Sequence, residues 1–471
     1  MADSPIPNVL PAELKAPERP FDPIGERPTM VRYGVLSYLS GMMFILYLDR
    51  YCISQAAPLI EKDLGISHAD MGLVFGAFTL SYAVFEYWTG HLGDKYGSRG
   101  VMTRIVVWWS FFTALTGAVT GFWSLILVRF LFGAGEAGAL PNSARVLKHW
   151  FPESVRGRIQ GFVTTFMMVG GAAAPFASQQ LFNVFGWRWS FVLFGIIGLM
   201  WSIAFYLWFR DTPKEHPSAN EAERRLIAGT IDPDLPPHIE SEAMAPDLAE
   251  VTAPQDPHPA MPWELVLHNR NVWLLAFAMA TMSAVAYALL SWYPTYLQEA
   301  RGVTKDNSGI LASLVLATGA IGTMLGGWLN DWTLRVTGSQ RWGRTLQSLV
   351  GTVLCAIGIL LGVSADSLAW SAIFIAIANF GVQLQVPAWW SCATKISGRH
   401  LGGVFGLMNM VGAVGAFSSQ VLLGRFATLM ADRGFVGRAR WDSGLYVYVG
   451  VAVVGFLIWS FVDTRRTIEP E

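Results

Sequence analysis

The sequence predicts an all-α membrane protein: twelve transmembrane helices arranged as two pseudo-symmetric six-helix halves. Three observations carry that prediction. The 471 residues are 53% hydrophobic and only 14% charged, where a soluble chain carries about 25% charged residues. Twelve apolar runs are long enough, at roughly 20 residues each, to cross about 30 Å of hydrocarbon. They fall near 32–55, 69–92, 100–119, 123–146, 157–182, 189–209, 272–297, 308–331, 345–363, 368–393, 401–429 and 442–463. Finally, one long polar insertion, Arg210–His268 with ten prolines, separates the sixth run from the seventh. The expected layout is a tail (1–31), a first half (32–209), a linker (210–268), a second half (269–463) and a short tail (464–471).

The first thirty residues hold seven prolines and no apolar run, so they read as a cytosolic tail and not as a signal peptide. The spans are rich in small residues at close spacing, such as Gly133, Gly135 and Gly138, or Gly319, Gly322, Gly326 and Gly327. Small residues let helix backbones approach closely in lipid, so packing is the first reading of each. The linker is expected to be irregular, with one short helix at Ser218–Gly229. With the N-terminus inside, 23 Lys and Arg lie on inner segments and eight on outer ones. The positive-inside rule then places both termini in the cytoplasm of a multi-pass plasma (inner) membrane protein. Arg425, Arg433, Arg438 and Arg440 run against that count. Either their loop meets an anionic partner, or a late loop tolerates the charge.

Several function classes drop out. A net charge of −1 gives no field for nucleic acid. Cys52, Cys355 and Cys392 sit in three different apolar segments, as small core residues with no disulfide or metal pattern. All eight histidines fall in loops or at helix ends, and no HExxH, GxSxG or Cys/His cluster occurs. An enzyme lacks its parts, and no cofactor is expected.

The two halves carry corresponding strings. The second run ends in "GHLGDKYGSRG" (Gly90–Gly100) and the eighth in "GGWLNDWTLRVTGSQRWGR" (Gly326–Arg344). Each puts Gly, then Asp, then basic residues at an inner helix end. Aligning Pro141 of the fourth run with Pro387 of the tenth brings the following Gly-rich spans into similar register. Repeated six-helix halves point to a transporter that rocks about a midplane site. "GHLGDKYGSRG" resembles the signature loop of the major facilitator superfamily. "YLDRYCISQAAPLIEKDLGIS" and "RFLFGAGEAGALPNSARVLKHWFPESVRGRIQG" resemble its anion:cation symporter family, from about Arg32 to Arg466. That family includes hexuronate, galactonate and phthalate permeases and sialin-like carriers. The resemblance implies the major facilitator fold and proton-coupled symport of a small organic anion, a sugar acid or other carboxylate, by a monomer in the lipid bilayer. A sodium-coupled, uncoupled or exchange carrier is the alternative.

Charge inside a span is the strongest local signal, because a central Asp or Arg costs about 2.5–3.5 kcal/mol on translocon scales. Tyr47, Arg50 and Ser54 fall at i, i+3 and i+7, one helix face. Arg50 is either a cavity cation, a snorkelling side chain or the partner of a buried acid. The resemblance implies that it binds the substrate carboxylate. Asp49 lies about 100° round the helix, as a proton acceptor or as compensation for Arg50. Arg129 and Glu136, seven apart, share nearly one face of the fourth helix and are too far apart to pair with each other. The resemblance makes Glu136 the proton-binding acid and Arg129 part of its network. Tyr82 matches a position lining the family's site. Glu86, four residues on, pairs with a buried Arg or titrates. Asp94 opposes its own helix dipole and so reads as a gate serving another helix or Arg99, with Asp331 as second-half counterpart. In the second half Tyr287, Tyr293, Gln383, Trp389, Trp390, Ser391 and Asn409 are polar or aromatic groups inside spans. The resemblance assigns Trp389, Ser391 and Asn409 to the substrate's far end. No Lys or Arg occurs in the seventh run itself, so the second cationic contact of the vesicular glutamate carriers, also members of the resembled family, is absent there.

Overall fold

A computed structural model describes residues 27–90, 96–228, 263–339, 341–397, 401–465 and 467–468. Regular structure among them is entirely helical. The helices of the first half are α1 (Val31–Leu64), α2 (His68–Gly90), α3 (Ser98–Thr116), α4 (Phe122–Glu136), α5 (Ala139–Trp150) and α6 (Glu153–Trp208). The linker holds α7 (Glu221–Ile227) and α8 (Trp263–His268). The second half holds α9 (Arg270–Glu299), α10 (Lys305–Thr337), α11 (Trp342–Ser364), α12 (Leu368–Leu384), α13 (Val386–Ser397), α14 (Leu401–Asp432) and α15 (Arg438–Phe461). Nine stretches among the described residues are long and apolar enough to cross a membrane. One of them, α6, would be about 84 Å long if straight. Gly186 folds it into two spans by adopting φ 73°, which an L side chain resists. With α2 and α3 added, the arrangement is consistent with twelve spans. Large apolar side chains such as Trp189, Met200, Ile203, Met324, Trp328 and Leu422 are exposed on the outside, as a lipid-facing surface requires.

The internal repeat is visible in where helices break. The fourth span is interrupted at Ala137–Gly138 between α4 and α5, with Gly138 at φ 91°. The tenth is interrupted at Gln385 between α12 and α13, two residues before Pro387. Arginines that open corresponding spans also do corresponding work. Arg188 donates to the carbonyls of Gly117 and Val119 at the end of α3 (3.1 and 2.6 Å) and meets Asp63. Arg438 donates to the Val363 carbonyl at the end of α11 (2.7 Å) and meets Asp366 and Asp442. A cation at a helix C-terminus satisfies orphan carbonyls and complements the dipole. Arg440 in turn reaches Glu299 at 3.2 Å. Two of the four arginines that stand against the charge count are thus held by the protein's own acids.

Within the first half α1 packs on α6, α2 on α4, and α3 on α6. In the second half α9 packs on α14, and α12 on α10 and α11. The halves meet through α2 with α14, α6 with α10, and α1 with α9. The expected linker helix is present as α7, and Glu223 on it is fully buried at the start of α1. There its carboxylate accepts from the backbone N–H of Val31 and Arg32 (3.3 and 3.0 Å). An acid at a helix N-terminus is favourable by about 0.3–1 kcal/mol or more when buried.

The face opposite the chain ends, here the far face, is where the halves approach most closely. A Cβ on Gly424 of α14 would lie 2.3 Å from the His68 carbonyl oxygen, and one on Gly72 of α2 would lie 2.7 Å from the Gln420 carbonyl oxygen. Gly424→Val is therefore expected to push the far face open. The check is thiol labelling of Ser54→Cys, a position only 5% exposed between the halves. Labelling should rise severalfold in the Gly424→Val background, and an unchanged rate would contradict the packing described.

Candidate functional site

Arg50 lies deep in α1. Leu64 is 14 residues beyond it and Val31 is 19 residues before it, or about 21 and 28 Å of helix. The side chain is 7% exposed and turns into the bundle, so it is paired there and does not snorkel to a surface. Its Nε donates to Glu136 Oε1 at 2.7 Å and its Nη2 donates to the same oxygen. Glu136 is fully buried. It is the last residue of α4, so the helix break places its carboxylate, and the negative end of the α4 dipole, against the guanidinium.

Aromatic rings surround that cation. Its Cζ lies 4.8 Å from the ring centroids of Tyr47 and Tyr82 and 5.2 Å from that of Phe78. Tyr287 of α9 meets it from the second half. A guanidinium over aromatic faces gains about 0.5–2 kcal/mol per contact, more when desolvated. Tyr47 and Arg50 thus share the predicted face. Ser54 continues that face towards a cavity between the halves lined by Tyr51, Pro175, Leu289, Tyr293 and Asn379.

Asp49 points elsewhere. It is 1% exposed and sits by Trp109 and Thr113 of α3 and Arg129 of α4, inside the first half. Arg129 is equally buried, its Cζ 4.4 Å from the Phe132 ring and 5.1 Å from that of Phe78. The shared face of Arg129 and Glu136 is therefore split: Glu136 meets Arg50, and Arg129 lies on the Asp49 side. Both Asp49 oxygens, Trp109 Nε1, Arg129 Nε and Glu136 Oε2 lack hydrogen-bond partners of standard geometry. Buried polar atoms are normally satisfied.

Glu86 joins the halves on the other side of Tyr82. Asn409 of α14 donates to Glu86 Oε2 at 2.7 Å, and the Tyr82 hydroxyl is 3.5 Å from Glu86 Oε1. The hydrogen-bond partner of Glu86 is thus an amide, while Arg50 acts on it through charge alone. Trp389 does not join this group. It packs in the core of the second half with its indole N–H on the Leu275 carbonyl (3.0 Å) and its ring against Phe405. Its substrate contact is corrected to packing, because an indole with its only donor spent and 1% exposure has nothing to offer a ligand. Trp390 is exposed and stacks on Phe405 at 4.1 Å. Ser391 accepts from Arg344 at 3.0 Å, away from Arg50. Asp94 lies outside the described residues. Arg99 donates to the Tyr206 carbonyl near the end of α6 (2.9 Å), and Asp331 is exposed.

The sequence reading missed three neutral amides that join helices. Gln420 accepts from Thr79 of α2 (2.8 Å) and donates to Ser291 of α9 (2.9 Å). Gln55 donates to Gln179 (2.8 Å) and to the Lys305 carbonyl across the halves. An amide inside an apolar run is itself the signal, since it needs a partner in lipid.

Known proteins share the fold described above. The family model described as Major Facilitator Superfamily matches residues 39–420. A probable sulfoacetate transporter, SauU, of Cupriavidus necator is 30% identical over 394 residues, covering 83% of this chain and 86% of that protein. The hexuronate transporter of Bacillus subtilis is 27% identical, covering 89% and 93% of the two chains. The D-galactonate transporter of Escherichia coli is 28% identical, covering 85% and 90%. A crystal structure of a bacterial homolog of the human lysosomal transporter Spinster, inward-facing and unoccupied, superposes with a TM-score of 0.73. It is 20% identical and covers 93% of this chain and 98% of its own, a likeness of fold.

The Arg50–Glu136 pair predicts strong coupling. Removing one partner of a buried ion pair costs about 3–5 kcal/mol, whereas replacing both with apolar residues is often near neutral. Glu136→Leu should lower the thermal stability of the purified protein markedly, and adding Arg50→Met should restore most of it. Additive losses in the double variant would show that the two side chains are not coupled.

Proposed function

The chain belongs to the major facilitator superfamily, and on that footing we propose that it carries a small organic anion with a proton by alternating access. It is a membrane transporter and not an enzyme, and its relatives carry sugar acids and sulfoacetate. The observation that supports the finer reading is the state of Arg50. This cation stands in mid-span, ringed by Tyr47, Tyr82 and Tyr287, and its counter-charge is a single carboxylate, Glu136.

Coupling follows from competition. A substrate carboxylate or sulfonate needs the donors of Arg50, and ionised Glu136 already holds them. A proton on Glu136 removes that rival charge and frees the guanidinium for the anion. Proton and anion then favour the same state, which is what symport requires. Asp49 lies beside Arg129 inside the first half, where the two interact through charge and not through an ion-pair contact, and Asp49 is the further proton acceptor. Glu86 and Asn409 offer a hydroxyl-bearing substrate an acceptor and a donor opposite Arg50. Asp94, Arg99 and Asp331 are the gate residues of this reading, with Arg99 at the start of α3 and Asp331 towards the end of α10. The positive-inside count supports cytoplasmic termini in the plasma membrane, so the far face is the outer face.

The test is uptake in proteoliposomes with an inward proton gradient, using sulfoacetate, hexuronates, galactonate and glucarate. Arg50→Ala should abolish uptake. Glu136→Gln should lose accumulation against a gradient yet keep exchange of substrate for substrate. Accumulation by Glu136→Gln at the wild-type level would rule out its proton role. Accumulation that follows a sodium gradient and ignores the proton gradient would favour sodium coupling instead.

A further inference from the structure

The far face closes on a buried cluster that has no part in the anion chemistry. His68, the first residue of α2, is 6% exposed. Its Nδ1 lies 2.8 Å from Glu61 Oε1 of α1, and its Nε2 lies 3.0 Å from Glu299 Oε2 of α9. Glu61 and His68 belong to the first half and Glu299 to the second. Arg440 of α15 donates to Glu299 Oε2 at 3.2 Å, and Trp441 Nε1 is 3.3 Å from the same oxygen. The imidazole is enclosed by the rings of Trp292 and Trp441, at 5.8 and 5.2 Å between centroids. The other charged groups nearby are turned away. Asp70 accepts from the backbone N–H and hydroxyl of Ser67. On α14, Arg425 is exposed, and Thr428 receives the Ala69 N–H at 3.0 Å.

Donor arithmetic decides the protonation state. Ionised carboxylates only accept, and a neutral imidazole has one N–H. With a carboxylate on each ring nitrogen, a neutral ring would set a lone pair against an anion. The imidazolium donates to both. The charges also balance, since two acids, Glu61 and Glu299, face two cations, His68 and Arg440. A divalent cation is the rival occupant, because ligand atoms of Glu61, His68 and Glu299 lie within 4.8 Å of one another. Arg440 at Glu299 opposes a metal, and a ring already bonded on both nitrogens has no lone pair to give one.

We propose that His68 is a second proton-binding site, separate from Glu136 and Asp49, whose proton holds the far face closed by joining Glu61 to Glu299 across the halves. This rests on the alternating-access reading above, but not on the identity of the substrate or of the coupling ion. Alternating access requires the two halves to part at this face, and parting separates His68 from Glu299. His68 precedes the apolar run that starts at residue 69. Burial alone would lower its pKa, but the hydrogen bonds with Glu299 and Glu61 outweigh that and bring it up to about 9. Once opened to water it returns towards about 6.5. The latch is thus fully present below about 6.5 and is lost as pH rises through about 9. Acidic medium keeps the far face shut, and alkaline medium releases it.

The experiment is double electron–electron resonance in nanodiscs, without substrate, between spin labels at exposed Lys62 and Val436. The three buried cysteines are replaced by alanine for this purpose. In the otherwise native protein the ratio of long to short distances should rise about tenfold or more between pH 6 and pH 9.5, within the range typical of coupled sites. In His68→Gln it should change less than about twofold. Glu299→Gln, which removes one acceptor, should move the transition to lower pH and serves if His68→Gln does not fold. An unaltered pH profile in both variants would overturn the proposal. So would a closed state at pH 9.5 that opens only on adding EDTA, which would assign the cluster to a metal. Failure of anion uptake alone would leave the distance profile unaffected, so the two readings fail separately.

Discussion

A guanidinium in the middle of an apolar bundle must be paired, and much of the first half is arranged around that need. Arg50 turns into the bundle, and the bundle supplies Glu136 at the end of a broken helix. The break at Ala137–Gly138 aims the α4 dipole at the cation. Tyr47, Tyr82 and Phe78 face the charge with π-surface, and Tyr287 meets it through its hydroxyl. The adjacent acid, Asp49, is then directed by helix geometry away from the cavity and towards Arg129. A buried ion pair is poor evidence for stability by itself, since its desolvation cost rivals its attraction. In the mechanism we propose, the pair is a switch whose pairing a proton or an anion alters.

The pseudo-symmetry divides labour instead of duplicating it. Both halves break one long helix near a proline and cap a helix end with an arginine that opens a later span. Only the first half places charges at the broken helix. The second half answers with neutral groups, Asn409 on Glu86 and Tyr287 on Arg50. The charged groups around Arg50 thus face an amide-and-ring wall from the second half.

Beside the His68 cluster, the far face is joined by backbone proximity and by uncharged donors. Gly424 and Gly72 allow α2 and α14 to touch. Gln55 reaches the Lys305 carbonyl, Asn183 meets Asp306, and Gln420 ties α2 to α9. Bonds of this kind are individually modest, about 0.6–2 kcal/mol in membrane proteins, so the face can open at reasonable cost.

The fold was largely legible in the chain, because lipid admits only long apolar helices and their spacing is written in the sequence. The twelve runs, the linker helix and the matched Pro141 and Pro387 all fall where the helices and their breaks are found. The charges inside spans were equally visible, since a residue that costs several kcal/mol in lipid stands out in any apolar run. Partnership was not visible. Whether Glu136 or Asp49 faced Arg50, whether Glu86 met an arginine or Asn409, and whether Trp389 lined the cavity or filled the core all turn on helix rotation and crossing. His68 read as one loop histidine among eight, and its two acids lie seven and 231 residues away in sequence. The chain determined which groups lipid would force inward. Only the packing of helices from distant parts of the chain decided which of them would meet, because the free energy of a buried charge depends on its neighbours in space.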